Sequence, residues 1–300
     1  MVALKMSTKF IAFKFTLMSI ILAAIALSAT ANAITIQEYS KLFKNYNACF
    51  ILYDLEKHQV VSEYNPNDRC KQRIAPDSTF KIALSLMAFN QGIINQNTVF
   101  KWDGEKGVLP EHERDQTPNS WLKYSVLWVS QQITPQLGYA RIKHYLAGFD
   151  YGNQDFSGDP GEKNGLTDAW LSSSLKISAV EQLHFLQAMF SNELPVSNEA
   201  IANTKENLYQ GKLNNGADYY GKTGSGRYGR NERLTNPSKL RDGWFVGFIE
   251  NGTQRYIFVS NLTDKVIQAS IDKSDGSLKP YGTQILKPIT LKLLNDYFAK

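Results

Sequence analysis

The chain has 300 residues, of which 43% are hydrophobic and 20% charged, enough apolar material for one sizeable core. Its formal charge of +5 says little about partners, because a leader segment holding Lys5, Lys9 and Lys14 and no acid reduces it to +2 when removed. No Lys/Arg block with interleaved aromatics is present, so a nucleic-acid role is unsupported.

Taken in chain order, the three lysines precede an apolar run from Phe15 to Leu27 and then Ala31-Asn32-Ala33. That pattern predicts a secretory signal peptide over residues 1–33, cleaved after Ala33, too short and wrongly flanked for a spanning helix. A soluble, exported protein without stable membrane insertion is expected, with residues 34–300 forming a single two-lobed domain. Ile36 to Tyr46 reads as a short amphipathic helix. The segment between Cys49 and Cys70 reads as a hairpin, Ala48 to Asp54 and Val60 to Tyr64 around Glu56-Lys57-His58. Export and an even count favour a disulfide between the two cysteines; two buried free thiols are the alternative.

From Thr79 to Phe89 only Thr79, Lys81 and Ser85 are not apolar, so the helix expected from Ser78 to Gln91 has no water-facing side and runs through a core. Lys81 is then desolvated, which favours its neutral amine, one turn from the candidate nucleophile Ser78. Pro76 and Asp77 fit the start of this helix, whose free N–H groups favour an anion close to Ser78. Gly92 ends it.

A polar loop follows from Trp102 to Asn119, and helices are expected over Lys123 to Gln132 and Leu137 to Leu146, separated near Pro135. Ser125 reads either as a proton-passing hydroxyl or as a helix cap. Tyr151-Gly152-Asn153 has turn chemistry, and Trp170-Leu171 follows a Gly-rich loop over Gly158 to Gly165, as core packing or as an N–H for a buried polar atom. Ser178 and Glu181 form a capping box opening a helix through Phe190.

The last third turns to strands: Ala217 to Thr223, then Trp244 to Glu250 with Arg255 to Asn261 around Asn251-Gly252. Lys222-Thr223-Gly224 ends the first of these, with the glycine leaving room for a ligand at the strand edge. A helix with Pro288 near its beginning closes the chain. Strands at both chain ends and helices between them predict an α+β fold, an antiparallel sheet flanked by N- and C-terminal helices with a helical lobe. The four histidines have no zinc-site spacing, Glu111-His112-Glu113 reads as a solvated loop, and neither a G-x-S-x-G elbow nor a phosphate-binding glycine loop occurs.

In this order, S-T-F-K at Ser78 to Lys81, Ser125 at a helix start, Tyr151-Gly152-Asn153, Trp170-Leu171 and Lys222-Thr223-Gly224 resemble the class D serine β-lactamases, the oxacillinase family. The likeness extends over Ala48-Cys49-Phe50, Pro76 to Leu84, Lys101-Trp102-Asp103-Gly104 and Asp242 to Gly247. Class A enzymes carry S-D-N and a glutamate where this chain has Ser125-Val126-Leu127 and Trp170.

The resemblance implies the serine β-lactamase and penicillin-binding-protein fold and hydrolysis of penicillin-type β-lactams in the periplasm, conferring antibiotic resistance. It implies Ser78 as acylated nucleophile, an oxyanion hole from the N–H groups of Ser78 and Ser225, and Lys81 as N6-carboxylysine formed from CO2 or bicarbonate, with no metal or organic cofactor. Trp170 and Leu171 stabilise the carbamate in that scheme, Ser125 and Lys222 relay the proton to the leaving nitrogen, and Thr223, Gly224 and Leu127 line the substrate. Two departures stand out. Leu127 replaces the family's valine, and Gly282 to Lys287 lacks the arginine that binds the substrate carboxylate, leaving Lys279, Lys287, Arg241 or Thr223 as candidates. A D-alanyl-D-alanine peptidase and a penicillin-binding sensor domain are the rival readings.

Overall fold

A computed structural model of the chain describes residues 34–106, 109–227, 240–267 and 282–299. The expected signal peptide and Lys279 lie outside the described residues.

Helix α1 (Ile36–Leu42) opens on a capping box between Thr35 and Glu38 and ends sooner than its amphipathic pattern suggested, because Tyr46 already belongs to strand β1 (Tyr46–Asp54). Strand β2 (Gln59–Tyr64) pairs back on β1. The middle of the chain is helical: α2 (Lys81–Asn90), α3 (Pro118–Tyr124), α4 (Leu127–Leu137), α5 (Tyr139–Gly148), the single turn α6 (Gly165–Asp168), α7 (Ala179–Phe190) and α8 (Asn198–Asn207). Strands β3 (Tyr209–Lys212), β4 (Asp218–Arg227), β5 (Arg241–Asn251) and β6 (Gln254–Asp264) follow, and α9 (Thr283–Phe298) closes the fold. The expected capping box of Ser178 and Glu181 is present at the start of α7.

The six strands form one antiparallel sheet in the order β2-β1-β6-β5-β4-β3. Both chain ends thus build the sheet, with β1 against β6, while the helical insert lies between them in sequence. Residue alternation along β5 sends Trp244, Val246 and Phe248 into the core shared with α2 and α7, and Phe245 and Ile249 into a second core under α1 and α9. Each such side chain contributes about 1.5–3 kcal/mol of burial free energy. A disulfide joins Cys49 on β1 to Cys70 in the turn after β2.

The helical region corrects the sequence reading at three points. The helix expected from Lys123 starts earlier, at Pro118, and stops at Ser125, whose left-handed φ of 62° ends α3 before Val126 starts α4. Pro135 sits inside α4, where it forgoes one backbone N–H bond without ending the helix, and the break to α5 comes instead at Gly138 with φ 75°. Helix α8 and the short strand β3 were not anticipated.

Candidate active site

Ser78 lies in a 3₁₀ turn, Asp77–Phe80, that feeds directly into α2, and Lys81 is the first residue of that helix. The apolar helix buries Lys81 completely, and its Nζ lies 3.1 Å from Ser78 Oγ. Burial pulls the amine down from its ordinary range to about 7, with the charge of Asp77 opposing the shift.

Strand β4 supplies the second lysine. Lys222 is buried and donates to Ser125 Oγ at 2.8 Å and to the Thr223 carbonyl at 3.1 Å. Burial again drives its pKa down, well below the ordinary value, reinforced by the positive charges of Lys81 and Lys287. The left-handed Ser125 matters here: the break between α3 and α4 is what turns its hydroxyl toward Lys222, so Ser125 ends one helix rather than opening the next.

The edge of β4 is open where a substrate needs it. Gly221 donates its N–H to the Leu208 carbonyl and accepts from Gln210 Nε2, which puts the odd-numbered backbone groups of β4 on the β3 side. Pairing with β3 covers Asp218 to Tyr220 and goes no further. By strand alternation the main-chain groups of Thr223 and Ser225 therefore face an edge that no strand among the described residues covers. Gly224 serves a purpose other than room for a ligand: a Cβ there would lie 2.8 Å from the Pro76 carbonyl and 3.3 Å from Ser78 N, so its bareness lets β4 press against the nucleophile turn. Ser225 Oγ donates to Thr283 Oγ1 and accepts the Thr283 N–H, both at 2.8 Å, which ties the strand to α9.

Trp170 is fully buried and stacks on Phe80 at 5.4 Å, with Leu171 5% exposed beside it. Its indole Nε1 has no hydrogen-bond partner among the described residues, a buried donor left unused there. Tyr151 meets the edge of the same Phe80 at 5.9 Å, and Asn153 bonds the Ser174 carbonyl and the Lys176 N–H at 2.8 Å each, so Tyr151-Gly152-Asn153 holds the loop that carries Trp170. Leu127 is half-buried at the start of α4, packed on the larger core.

Of the cations considered for a substrate carboxylate, Arg241 is spent. It is buried and pairs with Asp264 through Nε at 2.6 Å and Nη2 at 3.1 Å. Lys287 is half-buried, donates to Gln210 Oε1 at 2.9 Å, and has its pKa lowered by burial. Among the described residues no cluster of histidine, cysteine or carboxylate suits a metal ion. Asp77 begins the 3₁₀ turn, in keeping with the helix start expected at Pro76 and Asp77, and its carboxylate bonds Ser172. No sequence signal pointed to Ser172 or Thr283.

The penicillin binding protein transpeptidase domain matches residues 22–289. Beta-lactamase OXA-1 of Escherichia coli is 47% identical over 250 residues, 83% of this chain and 88% of that protein. The chain belongs to the class D β-lactamases. The crystal structure of the OXA-427 class D β-lactamase superposes with a TM-score of 0.70 at 35% identity, covering 84% of this chain and 99% of the other. The methicillin resistance mecR1 protein of Staphylococcus aureus is 36% identical over 76% of this chain, though over 36% of its own length. This class D β-lactamase accordingly has the serine β-lactamase fold expected from its motifs, with the sheet, the helical lobe and the terminal helices in the anticipated places.

Proposed function

We propose that this class D β-lactamase hydrolyses β-lactam antibiotics, penicillins first among them, through an acyl-enzyme on Ser78, and so confers resistance. The observation that carries the reading is Lys81, a fully buried amine 3.1 Å from Ser78 Oγ and one residue from the ring on which the unpartnered Trp170 indole stacks.

Lys81 takes the Ser78 hydroxyl proton while Oγ forms a bond to the lactam carbonyl carbon. The N–H groups of Ser78 and Ser225 hold the developing oxyanion, one from each side of the close contact between the turn and β4. The ring C–N bond breaks, its electron pair goes to nitrogen, and Ser125 delivers a proton there that Lys222 replaces. Thr223 at the open strand edge receives the substrate carboxylate, with Lys287 adding to the positive field, and Leu127 and Leu171 form apolar walls. Lys81 passes the proton taken from Ser78 to the Lys222–Ser125 relay, which replaces the one delivered to nitrogen; it then takes a proton from a water whose oxygen bonds the acyl carbon, and returns that proton to Ser78 Oγ as the ester C–O bond breaks.

CO2 fits this site because its carbon needs a neutral amine and the resulting carboxylate needs a buried donor, and Lys81 and Trp170 Nε1 offer those. The Lys81 lone pair forms the N–C bond, a C–O π pair moves to oxygen, and one amine proton leaves to solvent. Bound there, CO2 supplies an anionic base in place of the amine. No metal or organic cofactor enters the scheme. Export to the periplasm with cleavage after Ala33, a single domain over 34–300 and the absence of nucleic-acid partners belong to the same proposal.

Purified protein mixed with excess chromogenic cephalosporin should turn over continuously, faster with added bicarbonate. A single stoichiometric burst would instead support the rival reading, a penicillin-binding sensor. Release of D-alanine from a D-alanyl-D-alanine peptide alongside a trapped antibiotic would support a peptidase.

A further inference from the structure

Asp77 stands at a junction that the chemistry of Ser78 and Lys81 does not itself require. It is 1% exposed, and its φ of 46° lies in the left-handed region. Its N–H donates to the Trp170 carbonyl at 3.0 Å, while its Oδ1 accepts the N–H of Ser172 at 3.0 Å and the Ser172 hydroxyl at 3.1 Å. One residue thus grips both ends of the tripeptide Trp170-Leu171-Ser172. Ser172 has a left-handed φ of 51° as well. Gly226 closes the junction from β4: a Cβ there would lie 2.1 Å from Asp77 Oδ2 and 2.4 Å from Ser172 Oγ. Two non-glycine residues in the left-handed region, bonded to each other and roofed by a bare glycine, persist only where the surroundings over-determine them.

The clasp fixes where Trp170 sits relative to Lys81. The main chain of Trp170 is held by the residue just before Ser78, and its ring is held by Phe80, the residue just before Lys81. Asp77 carries a second, opposite influence, because its charge favours the protonated Lys81 and so disfavours attack on CO2. The two influences are separable by substitution: asparagine keeps an acceptor for Ser172 and drops the charge, whereas glycine accepts the left-handed backbone and drops the clasp.

We propose that Asp77 is a positioning residue: it clasps the 170–172 loop to the nucleophile turn, holds the Trp170 indole N–H where Lys81 can use it, and thereby sets the affinity of Lys81 for CO2. This rests on the reading of Lys81 as a carboxylated base.

The test is a titration of parent, Asp77→Asn and Asp77→Gly with ¹³C-bicarbonate, read both as the carbamate ¹³C signal and as penicillin turnover. For Asp77→Gly the half-saturating bicarbonate concentration should rise by about tenfold, the scale of losing charge-assisted hydrogen bonds, and saturating bicarbonate should restore much of kcat. Asp77→Asn should bind at least as tightly as the parent. A merely structural residue would change the folded fraction and leave half-saturation where it was. Parental half-saturation in Asp77→Gly overturns the proposal, as does equal loosening in both variants. Should Asp77→Gly fail to fold, Ser172→Ala removes one of the two donors and should shift half-saturation several-fold in the same direction; no shift overturns the proposal. A parent that takes up no label overturns the carboxylated-base reading before any variant is made, and Asp77's role with it.

Discussion

Lys81 and Lys222 are both buried amines held below the ordinary lysine range, yet their surroundings differ in kind. Lys81 begins an apolar helix, bonds the Ser78 hydroxyl, and has the negative charge of Asp77 for company. Lys222 belongs to a strand edge, bonds a hydroxyl and a carbonyl, and has positive charges around it. Burial sets the direction of the shift in both, and the partners decide the use. The proposed roles follow from those partners: an amine bonded to the candidate nucleophile suits proton acceptance, whereas one anchored to a carbonyl and a second hydroxyl suits passing protons on.

That contrast breaks most sharply at Lys81. Lys81→Ala should lower penicillin turnover by about 10²–10⁴-fold, the usual range for a lost acid–base group, while circular dichroism stays parental. Turnover at the parental rate would show that the base lies elsewhere. Ser125→Ala tests the other lysine through its partner. Acylation followed by stopped flow should slow by about 10²-fold, with deacylation of the preformed acyl-enzyme much less affected. An equal loss in both steps would remove the distinction between base and relay.

The smallest effect is on stability. With a folded pKa of about 7 against 10.5 unfolded, Lys81 binds a proton in the unfolded chain but not in the folded one between those values. Stability should therefore rise with pH across that window, at about 1 kcal/mol per pH unit for this group. Urea midpoints at pH 7.5 and 9.5 measure the rise, and Lys81→Met should flatten part of it while the lowered Lys222 leaves a remainder. A slope unchanged in Lys81→Met would mean that the amine is not neutral in the fold. The same shift predicts that activity falls as pH drops below 7.

Much of this was legible in the sequence because it depends on local pattern. An uninterrupted apolar run around Lys81 means burial whichever neighbours supply it, and Ser178 with Glu181 caps α7 by contacts three residues apart. The Asn251-Gly252 turn fixes the β5-β6 hairpin in the same way, with Asn251 opposite Gln254. What escaped prediction depends on distant partners. The helical pattern around Lys123 gives no warning that Ser125 turns left-handed, since Lys222, 97 residues away, is what its hydroxyl bonds. Asp77 starts a helical turn as expected, yet nothing local shows that its carboxylate goes to Ser172, 95 residues on. Helix α8 is polar and β3 has four residues, too weak a signal for either period.

The position of β1 has a consequence for how the protein is made. β1 (Tyr46–Asp54) lies between β2 and β6, so one of its two edges stays bare until Gln254–Asp264 has been synthesised and arrives. Pairing across that sequence separation is slow, and the chain spends its synthesis without a finished sheet. The Cys49–Cys70 bond spans only 21 residues and needs no part of β6. The β1–β2 pair, closed by a covalent loop of short span, is thus the part of the sheet that can form without waiting for its last strand.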